Sequence, residues 1–287
     1  MSAAGWIATG VAVAIVGTAA VVVSQLDFFE DLDDDEFCAA EVDGTVATLD
    51  VDQAENASLI AAIGVRRDLP ARAVSIALAT AFQESKIRNL DYGDRDSLGI
   101  FQQRPSQGWG TPEQVRDPVY ATETFFDALV EVEGYEDMPI HNAAQAVQRS
   151  ADGSAYAAHE TPARVLASAL TGWSPAAFRC EIAAPGDSGQ RAGADGLTRN
   201  ARTVVDDVAL AFGADGHTTS EGGQTVTFAA PQSRRHGWAL AQYLVGNADR
   251  LEIRSVTYGR RVWTAAASDQ GWQAERRRLD RVRIEVA

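Results

Sequence analysis

The sequence predicts a multidomain chain: an N-terminal transmembrane helix, a mainly α domain, and a small α+β domain at the C-terminus. Three observations predict it. Residues 6–23 carry no charge. Residues 51–85 space their apolar side chains as helices do. After a stretch rich in Gly and Ala at 181–196, amphipathic helical patterns mix with short alternating runs. The boundaries read as anchor 1–24, acidic tether 25–41, helical domain 42–180, linker 181–196 and α+β domain 197–287. With 287 residues, 46% hydrophobic and 23% charged, the chain has enough apolar material for two modest domains.

In residues 6–23 only Thr9 and Thr18 have polar side chains. As a helix these residues span roughly 27 Å, close to the hydrocarbon thickness of a bilayer. Seven of the ten residues 27–36 are acidic, and no basic residue appears before Arg66. The following segment therefore lacks the positive charge that holds a flank in the cytoplasm. The expected placement is a single-pass protein of the cell membrane, touching the bilayer through residues 6–23, with its body on the extracytoplasmic side. A cleaved signal peptide is the alternative, and it too exports the body. The two cysteines, Cys38 and Cys180, flank the helical domain, and in an oxidising compartment they suggest a disulfide that closes it. Two buried free thiols are the other possibility. Neither cysteine has a Cys or His at ligand spacing, so no metal and no cofactor is expected.

The formal charge of -15 is unevenly spread. Residues 197–287 hold 13 Arg and 10 acidic residues, a net of +3, which leaves -18 on the rest. An acidic front half is ill suited to a phosphate backbone, so nucleic acid is not expected as its partner.

The helical domain opens with a helix over 51–67, in which Ala54, Ala57, Leu59, Ile60 and Ile63 share helical spacing. Asp68 and Pro70 mark a stop and the start of a second helix over 71–85. From 73 to 82 only Ser75 and Thr80 are polar, which makes the second helix apolar nearly all round and places it at the domain centre. Glu84 ends that helix. Burial and the negative end of the helix dipole both raise the pKa of a carboxyl group there, as a general acid needs. An ordinary solvated Glu paired with Lys86 or Arg88 is the plainer reading. Residues 89–110 are then dense in glycines, amides, carboxylates and aromatics, including Tyr92, Asp96, Gln102, Gln103 and Trp109. Amides beside aromatic faces suit sugar hydroxyls and N-acetyl groups.

Gln83-Glu84-Ser85 after an apolar helix, followed by Gly99-Ile100-Phe101-Gln102-x-x-Pro105, resembles the paired motifs of the soluble lytic transglycosylases. Residues 83–110 look like the lysozyme-like domain of a group of exported actinobacterial proteins. The resemblance covers about half the chain. It implies a lysozyme-like fold, Glu84 as catalytic acid, Ser85 as its orienting neighbour, and Gln102 in a glycan cleft. The third family motif, Ala-Tyr-Asn, finds only Ala143-Ala144-Gln145 here. Its tyrosine is missing, and Gln145, Tyr156 or Glu160 are the candidates to stand in. The implied reaction cuts peptidoglycan glycan strands between N-acetylmuramic acid and N-acetylglucosamine with one carboxyl group. A hydrolytic lysozyme usually adds a second carboxylate, for which Asp94 or Asp96 is available, so hydrolysis stays open. The alternative is a non-catalytic peptidoglycan-binding or scaffolding protein on the same fold, for instance within a secretion or conjugation apparatus.

In the last domain the sequence predicts helices at 197–212 and 236–247 and strands at 224–228, 254–258, 262–263 and 281–286. This order resembles a C-terminal domain related to zinc D-alanyl-D-alanine peptidases. The positions matching that family's ligands read Ser220, Thr227, Arg281 and Arg283, which is no zinc set. His217 and His236 lie nearby without carboxylate or thiol company. The resemblance thus implies a non-catalytic relative. Arg276, Arg277, Arg278, Arg281 and Arg283 form a basic end suited to anionic wall polymers or lipid headgroups, or simply a solvated face.

Overall fold

In the computed structural model the described residues are 36–148, 154–213, 216–220 and 222–287. The first elements are two strands, β1 (Phe37–Val42) and β2 (Thr45–Leu49), joined by a tight turn in which Asp43 and Gly44 both take positive φ. They pair antiparallel, and β1 pairs on its other side with β3 (Phe178–Glu181), giving a sheet of order β2-β1-β3. Cys38 and Cys180 lie opposite each other across β1 and β3 and form a disulfide.

Between these strands run the helices α1 (Val51–Arg66), α2 (Ala71–Ser85), a short α3 (Pro112–Val115), α4 (Pro118–Val130), α5 (Ile140–Gln148), α6 (Ser154–Ala157) and α7 (Glu160–Leu170). Helix α2 is buried from Ala73 to Ala81, as its largely apolar sequence demands, and the hydroxyls of Ser75 and Thr80 donate to the carbonyls of Ala71 and Ile76. Helices α1, α4, α5, α6 and α7 pack around it. Its start differs from expectation: the N-cap is Pro70 in extended conformation, while Asp68 adopts φ 54° in the turn before it. After β3 come α8 (Arg199–Phe212), β4 (His217–Thr219), β5 (Thr225–Phe228), α9 (Arg234–Gly246), β6 (Ile253–Thr264), a 3-10 turn at Ala265–Gln270 and β7 (Gln273–Val286). The second sheet has the order β4-β5-β7-β6 and is antiparallel throughout. Strands β6 and β7 form a long hairpin, far longer than the short runs expected at 254–258, 262–263 and 281–286.

The expected fold class is corrected by this architecture. In place of a mainly α domain followed by a separate small α+β domain, residues 36–287 form one α+β unit of helices with two antiparallel sheets. Among the described residues no helix is long and apolar enough to cross a membrane. The membrane segment expected at 6–23 lies outside the described residues, as does most of the acidic tether; residues 37–41 of that tether belong to β1.

The physical reason for one unit is a set of buried bonds centred on β3. Gln242 of α9, fully buried, accepts from the amides of Ala177 and Phe178, both at 2.9 Å, and donates to the carbonyl of Ala169. The indole N–H groups of Trp263 and Trp272 donate to the carbonyls of Cys180 (3.1 Å) and Phe178 (2.7 Å). Gly246 faces Ser58 of α1 so closely that a Cβ would come within 3.2 Å of it, and Asn247 donates to the Ser58 hydroxyl at 2.8 Å. Buried polar groups left without such partners would each cost about 1–3 kcal/mol, so the two halves hold each other.

Candidate active site

Glu84 occupies the last turn of α2, and the way that helix ends fixes where it points. Lys86 and Ile87 both adopt left-handed φ (55° and 58°), and their amides return to the carbonyls of Phe82 (3.0 Å) and Ala81 (2.9 Å). Ile87 is fully buried, which pins the exit of the helix. Gln53 and Asn56 of α1 donate to the carbonyls of Lys86 and Ile87, each at 2.8 Å, and lock the turn from outside.

The Glu84 carboxyl is half-buried. Tyr156 of α6 donates its phenol O–H to Oε1 at 2.6 Å, and Gln148, the last residue of α5, also hydrogen-bonds to the carboxyl group. Burial raises the Glu84 pKa above the ordinary carboxylate range, and the two hydrogen bonds offset part of that rise. Tyr156 is itself 2% exposed, so its ring is core and its hydroxyl is delivered to the carboxyl by packing. His159, which caps α7, stacks on Phe82 at 5.5 Å and approaches the Gln83 amide oxygen at 3.2 Å, which closes the other flank of this turn.

Ser85 faces away from solvent. Its hydroxyl donates to the carbonyl of Ile100 at 2.6 Å and so ties the helix end to the turn at 99–103. Gln148 donates to the carbonyl of Phe101 at 2.7 Å and holds the same turn from α5. Gly99 is required there: its φ is +78°, and a Cβ would lie 2.2 Å from the Val115 carbonyl oxygen. The turn therefore bridges Glu84 and its partner Gln148 through backbone carbonyls.

The other residues expected at the site divide into two groups. Gln102 adopts φ 48° and donates its amide to the carbonyls of Tyr92 and Gly99, both at 3.2 Å, which closes the loop on itself. Gln103 is 1% exposed and donates to Ala121 O (3.1 Å) and Thr124 Oγ1 (3.3 Å), so it braces α4 from inside. Asp96 accepts from the Ser106 amide, the Ser106 hydroxyl and Arg104; these bonds pull its pKa down to about 2 and commit it to its loop as a carboxylate. Trp109 packs half-buried against the core. Tyr92 (69% exposed) presents its ring to solvent, and Gln145 is half-buried on α5. The structure thus joins Glu84, Ser85, Tyr156 and the 99–103 turn. It gives Gln102, Gln103 and Asp96 framework roles. Gln148 was not among the expected site residues, although it follows Ala144 by four positions on the buried stripe of α5.

Downstream, Thr227 and Arg283 face each other across β5 and β7, Ser220 follows β4, and His236 lies in the first turn of α9. Residues 193–281 match the model of a family described as VldE, C-terminal domain. That match covers under a third of the chain and begins well after Glu84. No curated protein matches the chain.

Proposed function

We propose that the protein cleaves peptidoglycan glycan strands with Glu84 as its single acid and base. The observation that supports this reading is the Glu84 carboxyl itself: half-buried at the end of an apolar helix, raised in pKa, and held in one orientation by a 2.6 Å bond from Tyr156. A carboxyl group whose pKa is raised by burial is better suited to donate its proton to a glycosidic oxygen than a solvated one. On the transglycosylase resemblance, the Glu84 proton passes to the oxygen linking N-acetylmuramic acid to N-acetylglucosamine as that C–O bond breaks. The resulting carboxylate then takes the proton of the muramic 6-hydroxyl as its oxygen closes on the anomeric carbon. Asp96 serves poorly as a second, hydrolytic carboxylate, because its oxygens already accept from Ser106 and Arg104.

The site of action in this reading lies outside the cytoplasm, and the disulfide Cys38–Cys180 supports that placement, since such bonds persist in oxidising compartments. Dye-labelled peptidoglycan incubated with the full chain tests the proposal. Soluble dye should be released by the wild type and reduced about 10²–10⁴-fold by Glu84→Gln, the usual contribution of a general acid. Equal release by both proteins defeats the assignment; no release from walls of several chemotypes favours a binding role instead.

A further inference from the structure

The hairpin of β6 and β7 carries a second candidate site, unrelated to Glu84. Opposite the register pairs Gly259↔Leu279 and Arg261↔Ala274 the two strands fall out of step, and β7 bulges over 275–278. The bulge displays Arg276, Arg277 and Arg278, all exposed, beside exposed Arg260 and Arg261 of β6. Where it meets the start of α9 a pocket of about 100 Å³ opens, lined by Arg234, Arg260 and Arg278 with Tyr258 and Asp280. Asp280 pairs with Arg278 at 2.9 Å, and no salt bridge forms to Arg234 or Arg260 among the described residues. Three guanidinium groups against one carboxylate leave the pocket cationic. Arginine forks match the oxygens of a phosphate group, and the volume admits one such group rather than a sugar chain.

We propose that this pocket binds a phosphate group of a linear, base-free phosphodiester polymer, with the exposed Arg276 and Arg277 of the bulge meeting the neighbouring phosphates. Arg281 and Arg283 are exposed on β7 where Val282 and Ile284 are buried, so they face away from the side on which Asp280 lines the pocket and are not part of this site. Two observations favour such a polymer over other anions. The hairpin's aromatic residues, Tyr258, Trp263 and Trp272, are buried, which leaves no platform for stacking nucleobases. The exposed large apolar side chains among the described residues are Val46, Tyr92, Val130, Trp173 and Leu210, none of them on the hairpin, so it has nothing to insert into a bilayer.

The test is titration of the full chain with a synthetic poly(glycerol phosphate) oligomer. Parallel arms use single-stranded DNA of equal charge and phosphatidylglycerol–phosphatidylcholine vesicles. The polymer should bind in preference to both, and inorganic phosphate should displace it while chloride at equal ionic strength does not. Arg234→Gln and Arg260→Gln should each weaken binding about tenfold with unchanged melting temperature. Arg191→Gln, which removes an exposed arginine elsewhere, and Glu84→Gln should bind as the wild type does. Undiminished affinity in both pocket variants, equal displacement by chloride, or a preference for DNA or vesicles overturns the proposal.

Discussion

Replacing Tyr156 by Phe removes one oxygen atom and leaves a ring that is 2% exposed in place. The lost bond is the 2.6 Å donation to Glu84 Oε1. Such a bond is worth about 1.5–3 kcal/mol to a charged acceptor and about 0.5–1.5 kcal/mol to a neutral one. Its removal therefore disfavours the carboxylate relative to the acid by about 1 kcal/mol. Glu84, already raised by burial, should rise further, since this bond is one of the two that oppose the rise. The alkaline limb of the pH–rate profile for glycan release should move upward by about 0.7 of a pH unit, at one unit per 1.36 kcal/mol. The rate at the optimum should fall only severalfold, because the acid remains but is held less firmly. The assay is release from labelled peptidoglycan across pH, with circular dichroism to confirm the fold. A downward shift of that limb, or none with activity intact, would refute the coupling of Tyr156 to the acid.

The pKa of Glu84 also sets a stability trend. A carboxyl group raised on folding binds its proton more tightly in the native state, so folding is favoured most below the unfolded-state pKa and weakens as pH rises to the folded-state value. Glu84→Gln should therefore gain melting temperature relative to the wild type as pH rises from 4 to 7; an unchanging difference between the two proteins contradicts this. Gln103→Ala should lose about 2–3 kcal/mol in denaturant unfolding, since it empties a buried site and breaks bonds to α4, while KM for glycan stays the same. Gly99→Ala forces a Cβ against the Val115 carbonyl at positive φ, and it should cost about 3 kcal/mol and lower glycan release with it. Replacing Cys38 and Cys180 together by Ala opens a cross-link spanning 142 residues and should cost about 2–5 kcal/mol, read as a lower denaturation midpoint.

The sequence displayed some of this architecture more openly than the rest. Helix α2 was legible because its buried stretch from Ala73 to Ala81 needs no polar face, and only Ser75 and Thr80 there are polar. Glu84 stands out as the carboxylate just past the end of that apolar run. Gln148 carries a similar but fainter signal. It ends the buried stripe through Ile140 and Ala144, yet one amide after two apolar positions looks like a helix edge. Tyr156 comes to Glu84 from 72 residues away, through folding of α6 against α2 that no local pattern encodes. Strands β1, β2 and β3 are four to six residues long, and β1 reads Phe-Cys-Ala-Ala-Glu-Val directly after an acidic run. The division at 181–196 followed linker-like composition. Nothing local reveals that Gln242, Trp263 and Trp272 return to the backbone of β3. Gln102 and Gln103 were expected to meet sugar because amides suit it; folded, their N–H groups satisfy main-chain carbonyls, a use equally compatible with the same residue types.

In the proposed reaction Glu84 gives one proton to the glycosidic oxygen and takes one back from the muramic 6-hydroxyl. Mass spectrometry of the soluble products from purified peptidoglycan tests it most directly. Wild-type protein should yield muropeptides ending in 1,6-anhydromuramic acid, and Glu84→Gln should yield essentially none. Fragments with ordinary reducing ends, or anhydro products undiminished in the variant, would contradict it.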